Sequence, residues 1–151
     1  MLNRRTGVLR LESPALCLHP NDSFSKLQEY LADSLMLPWE LPEWQLYGVD
    51  EVRIRDYRCS MMLGIRNNCL RSIYLRLILP KATTEHQRHI QHCEALKQWL
   101  RSNRPYRYYW GIVTVQFDRE HGSSEIHKSG LVLSGIKKVS PYAGIIHMTN
   151  A

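Results

Sequence analysis

The sequence has no uninterrupted stretch of about 18 apolar residues, the minimum for a membrane-spanning helix. Its basic N-terminal segment, MLNRRTGVLRLESPALCLHP, lacks the continuous apolar run of a secretory leader, because Arg10, Glu12 and Ser13 interrupt it. A cytoplasmic location is therefore expected, with no membrane span. Cysteine is sparse: Cys17, Cys59, Cys69 and Cys93 include no CxxC pair, the usual spacing of a structural zinc or redox motif. These cysteines could pair in three complete ways, but in a cytoplasmic chain they are expected reduced and mostly buried as small hydrophobes. The glycines never approach GxxxxGK[ST] or GxGxxG, so no nucleotide cradle is indicated. GxSxG and HExxH are also missing.

What remains is the composition of a folded domain. The chain has 151 residues, 44% hydrophobic and 23% charged, which fits one globular unit spanning 1–151. Eight Tyr and four Trp supply bulky anchors for a core or a recognition surface. A formal charge of +6 favours acidic partners. The positive residues are dispersed in small groups: Arg4-Arg5, Arg53 to Arg58, and Lys137-Lys138.

Hydrophobic periodicity predicts an α+β fold: a mainly antiparallel sheet with two principal helices packed on it. Residues 7–18 read as an edge strand or extended arm, interrupted by Ser13-Pro14. Asp22 or Ser23 can cap a helix whose face carries Phe24, Leu27, Leu31 and Leu35, ended by Pro38. A short strand is expected from Trp44 to Val49. Tyr57, Cys59, Met61, Leu63 and Ile65 alternate with more polar neighbours, as do Ile73, Leu75, Leu77 and Leu79, predicting a hairpin. A three-residue loop at 66–68 would place Cys59 opposite Leu75; a two-residue loop would oppose it to Arg76, a worse match. Thr83 or Thr84 can cap a long helix from Glu85 to Arg101, with Ile90, Cys93, Leu96 and Leu100 as its buried stripe, helped by Trp99. A second hairpin is expected around DREHG, with Tyr109, Val113, Val115 and Phe117 alternating before it and a return strand through Ser124 and Ile126. Residues 131–151 read as an extra strand or a loosely packed tail.

Three constellations bear on chemistry. His86, His89 and Cys93 fall at helical spacing and are all zinc-binding types, so a small metal-binding protein or enzyme is one alternative. The plainer expectation is polar-face histidines with a buried cysteine and no metal. Ser123 or Ser124 with His121 or His127 and Asp118 supplies the residue types of a hydrolase triad without a nucleophile motif. Arg104, Tyr106, Arg107, Tyr108, Tyr109 and Trp110 interleave cations with rings, which suits base stacking beside phosphates or a protein interface. A basic nucleic-acid-binding module is thus a second alternative, though no recognisable RNA-binding or helix-turn-helix pattern accompanies it. Catalysis and a cofactor are not expected.

The segment YRYYWGIVTVQFDREHGSSEI, residues 106–126, resembles a C-terminal motif of small bacterial immunity-like proteins of poorly characterised families. The matching positions are Tyr108, Trp110, Gly111, Asp118, Gly122, Ser123, Ser124 and Ile126; the broader likeness covers residues 50–127. After Ile126 this chain departs from the motif with HKSG and a further apolar tail. The resemblance implies a protein that blocks a cognate bacterial toxin by occluding its active or target-binding surface. The chain's positive charge implies an acidic contact surface on that toxin and argues against a nuclease target, whose cleft would itself be positive. The expected interface residues are Trp39, Trp44, Tyr106, Arg107, Tyr108 and Trp110.

Overall fold

The computed structural model describes residues 1–32, 34–36, 38–100, 106–118 and 123–130. An N-terminal hairpin of β1 (Leu9–Leu11) and β2 (Leu16–Leu18) precedes helix α1 (Phe24–Leu31). Strands β3 (Trp39–Leu41), β4 (Trp44–Ile54), β5 (Tyr57–Arg66) and β6 (Cys69–Leu77) follow. Helix α2 (Glu85–Leu100) then leads to β7 (Tyr106–Tyr108), β8 (Gly111–Asp118) and β9 (Ser123–Gly130). The larger sheet has seven strands in the order β3-β4-β5-β6-β9-β8-β7, every neighbouring pair antiparallel. This is the expected α+β architecture with two helices on a mainly antiparallel sheet. Residues 131–151, including the expected further strand, lie outside the described residues.

One face of the sheet carries the main core. Val52, Ile54, Cys59, Leu63, Ile73 and Leu77 meet Leu9, Leu11 and Leu18 of the small hairpin, Leu27 and Leu31 of α1, and Ala95, Leu96, Trp99 and Leu100 of α2. The opposite face has a smaller buried group, Leu46, Met62 and Tyr74. The period-two pattern of β5 and β6 produces this division, because alternate side chains leave a strand on opposite faces.

The β5–β6 register corrects the expected loop. Arg66 pairs with Cys69, so the turn is the two residues Asn67 and Asn68, both with positive φ (50° and 57°). That is the left-handed geometry Asn tolerates best after Gly, and the one a twisted hairpin prefers. A register shift beside Gly64 and Ile65 then restores parity, so that Cys59 faces Leu77, not Arg76 or Leu75. A similar shift between Val49 and Val52 lets one long strand, β4, keep Val49, Val52 and Ile54 all in the core.

Helix α1 begins as expected. Ser23 is its N-cap, and the Ser23 hydroxyl accepts the Lys26 N–H. The helix stops at Leu31, short of Pro38, because the following chain is recruited by the sheet. Leu35 bridges Val49, and the Met36 N–H donates to the Gly48 carbonyl. Helix α2 starts with a reciprocal cap: the Gln87 N–H donates to Thr84 Oγ1 (3.2 Å), and the Thr84 N–H donates to Gln87 Oε1 (2.9 Å).

The buried face of α2 differs from the one expected. His92, Ala95, Leu96, Trp99 and Leu100 are buried, whereas Ile90 is 45% exposed and Cys93 is exposed. The stripe is turned because a histidine, not an apolar residue, leads it into the core. All four cysteines are free, but only Cys59 is buried; Cys17 and Cys93 are exposed and Cys69 is intermediate. Burial pushes the Cys59 thiol up to about 12, so it is inert as a nucleophile at neutral pH.

Candidate functional site

Three groupings of polar or aromatic side chains stand out from this framework. The first is internal. His92 Nε2 accepts the Leu77 backbone N–H (3.0 Å), which assigns the ring proton of the neutral tautomer to Nδ1. Nδ1 lies 2.9 Å from Ser124 Oγ, and Ser124 Oγ lies 3.2 Å from His89 Nδ1. His89 Nε2 in turn is 3.8 Å from the Cys93 sulfur. Nearby, Arg88 donates to the Leu77 carbonyl (2.7 Å) and to Glu85 Oε1 (3.0 Å), and Arg76 donates to the same Glu85 oxygen (2.9 Å).

This arrangement ties α2 to the end of β6. Strand β9 pairs with β6 only from Ser72 to Leu75, leaving both backbone polar groups of Leu77 beyond the ladder. His92 and Arg88 satisfy them, and buried backbone groups need such partners. At the other end of the same edge, the Leu70 N–H donates to the Asp22 carbonyl and the Asn21 N–H to the Leu70 carbonyl. Burial, aided by the Arg88 and Arg76 charges, lowers His92 to about 4, so the ring is neutral at physiological pH. Burial would raise Glu85, but its hydrogen bond from Arg88 and the two arginine charges outweigh that and hold it below the usual carboxylate range.

Ser124 is 1% exposed and His92 fully buried, so this serine–histidine contact offers no surface to a substrate. Helical spacing in the sequence singles out His86, His89 and Cys93 but not His92. Among the described residues no three His, Cys, Asp or Glu side chains come together as a metal site. The alternative of a metal centre on His86, His89 and Cys93 therefore lacks its third partner. His121 lies outside the described residues.

The second grouping surrounds Trp110. Strands β7 and β8 form a tight hairpin, with Tyr108 opposite Gly111 and Tyr109-Trp110 as the turn. Sequence alternation places Tyr109 in one strand with Val113; in the structure it sits on the turn and is 77% exposed. Trp110 is buried, 7% exposed, and belongs to the main core. Its ring stacks on Tyr108 (centroids 4.9 Å apart, 6° between planes), and its Nε1 donates to the Arg4 carbonyl (2.9 Å). On the core side, Lys128 Nζ lies 5.2 Å from the indole centroid.

Lys128 is a buried lysine that sequence reasoning did not mark. It pairs across the sheet with Ile73 and Val113, both core residues, so strand parity alone forces it inward. Burial lowers it to about 8, with the Asp22 charge opposing the shift. Its folded value lies below the ordinary 10.5, so the native state holds fewer protons than the unfolded chain between pH 8 and 10.5. Stability therefore rises with pH across that window, and the cost of burying the charge is fully present below it. The shift corresponds to about 3 kcal/mol, while the Trp110 face returns up to about 2 kcal/mol. Lys128→Met should accordingly raise stability at pH 7 by about 1–2 kcal/mol. Urea denaturation of both proteins at neutral and alkaline pH checks this, and the variant should lack the rise above pH 8.

The third grouping lies at the far edge of the sheet. Trp44 is half-buried over Gly64, where an added Cβ would come within 3.2 Å of the indole and 2.1 Å of Ser72 Oγ. Arg66 sits 5.9 Å from the Trp44 ring centroid and is paired with Glu43 at 2.5 Å. A shallow cleft of about 320 Å³ opens here, bordered by Glu40, Leu41, Trp44, Arg66, Asn67 and Asn68.

The six expected interface residues thus divide. Trp39 on β3 and Trp44 on β4 lie at one edge; Tyr106, Arg107 and Tyr108 on β7, with Trp110 on the turn, lie at the other. Six strand spacings separate β3 from β7, roughly 29 Å across the sheet. Arg107 is exposed, Tyr108 half-buried, and Trp110 buried. Trp39 and Tyr106 are placed by their strands, their side chains lying outside the description.

Among the described residues no helix is long and apolar enough to cross a membrane. No family model and no curated protein matches this sequence. The fold does have a counterpart in a solved structure of Rhs1-CT in complex with cognate immunity protein RhsI1. A chain of that complex aligns over 85% of its own length and 85% of this one, with a TM-score of 0.56 and 13% sequence identity, a likeness of fold.

Proposed function

We propose that this chain is an immunity protein, which binds a cognate bacterial toxin in the cytoplasm and covers its active or target-binding surface. The observation that carries this reading is the shared fold, over most of both chains, with a chain of a toxin–immunity complex. Its internal chemistry agrees. The His92–Ser124 contact lies buried beneath α2 and satisfies a strand end, which suits a protein that acts by occupancy. Inhibition by occupancy requires a rigid surface with a few aromatic or arginine anchors inside a polar rim. The β7–β8 turn supports this reading, because the buried Trp110 stacks on Tyr108 while Arg107 and Tyr109 stand exposed. The +6 charge suits a toxin with an acidic contact surface and speeds the encounter.

The test is co-expression with the product of the neighbouring gene. Cells carrying both should survive where the neighbour alone arrests growth, and the two chains should co-purify as a complex. Survival unchanged by this chain, with no complex formed, rejects the immunity role.

A further inference from the structure

The arginine pair near the N-terminus and the aromatic turn between β7 and β8 are distant in sequence but adjacent in the fold. The Trp110 indole donates to the Arg4 carbonyl at 2.9 Å. Gly7, at φ 71°, fits so closely beneath the same ring that an added Cβ would lie 2.5 Å from it. The Tyr108 phenol is raised by burial, with the Arg4 charge pulling the other way, which places that cation within electrostatic reach of the turn. Arg4, Arg5 and Arg107 are all exposed. Among the described residues none of the three has a carboxylate partner, whereas Arg58, Arg66, Arg76 and Arg88 are each paired. Two residues beyond Arg107, on the turn itself, stands Tyr109, the most exposed large hydrophobic side chain among the described residues at 77%.

We infer that Arg4, Arg5, Arg107 and Tyr109 form one contact surface, built to receive an acidic segment of a protein partner. The inference takes its partner class from the protein-binding reading above. Unpaired cations beside an exposed ring supply charge-assisted hydrogen bonds and a flat apolar contact together. The loop is held from below through a backbone carbonyl, so the arginine side chains remain free to engage. Polarity across the sheet favours this edge over the other. At the Trp44 edge the Arg66 charge is already taken up by Glu43, and exposed Glu40 would repel the same acidic segment. A nucleic-acid strand tracking the surface needs a continuous cationic groove with repeated stacking platforms; at this turn the described residues offer one exposed ring, Tyr109, beside the arginines.

The experiment is amide chemical-shift titration of the full chain with a short Glu/Asp-rich peptide and, separately, with a mixed-sequence single-stranded oligonucleotide at the same salt. Peptide-induced shifts should concentrate at residues 4–7 and 107–110. The variant R4E/R5E/R107E should bind the peptide on the order of tenfold more weakly, with an unchanged circular dichroism spectrum and Tm. R58E, whose charge is already paired with Glu51, serves as the control and should bind normally. Shifts centred elsewhere, an unaffected triple variant, or tighter binding of the oligonucleotide than of the peptide would overturn the assignment. Peptide binding at this patch together with failed toxin protection would reject immunity while supporting the surface, so the two readings fail separately.

Discussion

His92→Ala should destabilise the protein by about 3–5 kcal/mol, a large share of the stability of a single domain. Two costs combine. The imidazole is fully buried, so truncation leaves a cavity between α2 and the sheet. It also strands the Leu77 N–H, which loses its acceptor, and removes the 2.9 Å partner of Ser124. Acid should reach the same contact by another route. With His92 lowered to about 4 from 6.5, the unfolded chain binds a proton through this window that the native chain refuses. Its contribution is therefore complete above pH 6.5 and is lost as pH falls through 4, a change of about 3 kcal/mol. Urea denaturation at several pH values checks both parts: the wild type should lose stability between pH 6.5 and 4, and H92A should lack that component of the slope. An H92A protein of wild-type stability would mean that His92 does not bear the α2–β6 junction.

The residues that determine these effects were unevenly legible in the sequence. Strands β5 and β6 announced themselves because Cys59, Met61, Leu63, Ile73 and Leu75 obey a strict period of two, and all five are buried. Their register did not. The bulge beside Gly64 and Ile65 inserts one residue, and alternation on either side of a bulge carries no mark of where the extra residue lies. Strand β4 was underestimated for the same reason, since its shift between Val49 and Val52 breaks the pattern mid-strand. On α2, counting apolar residues selected Ile90 and Cys93 and skipped His92, because a histidine can join a core only when partners satisfy both ring nitrogens. Those partners, Leu77 and Ser124, lie 15 and 32 residues away along the chain, beyond the reach of any local spacing rule. Lys128 shows the converse. Its parity with Ile126 on β9 was available, yet a lysine is read as exposed unless its strand is known to be covered.

The aromatic segment from Tyr106 to Trp110 shows how one turn decides between surface and core, and it yields the sharpest remaining test. Had the strand continued, Tyr109 would have pointed inward with Val113; the turn expels it and drives Trp110 under the N-terminal loop. Trp110→Ala should therefore cost about 3–5 kcal/mol, as expected for removing a buried tryptophan. Trp110→Phe retains a ring against Tyr108 and Gly7 but loses the hydrogen bond to the Arg4 carbonyl, and should cost about 1–2 kcal/mol. Gly7→Ala approaches the same contact from the other side. Its new methyl would lie 2.5 Å from the indole and 2.8 Å from Pro20 in a left-handed backbone, at a cost of about 1–3 kcal/mol. If Trp110 serves the contact surface by holding the loop, W110F and G7A should both weaken partner binding by more than their stability losses explain, measured where each variant is fully folded. R4A, which keeps the backbone bond, should weaken binding without lowering Tm. Lowered Tm with unchanged binding in W110F and G7A would separate the loop from the contact surface and leave Trp110 as a core residue alone.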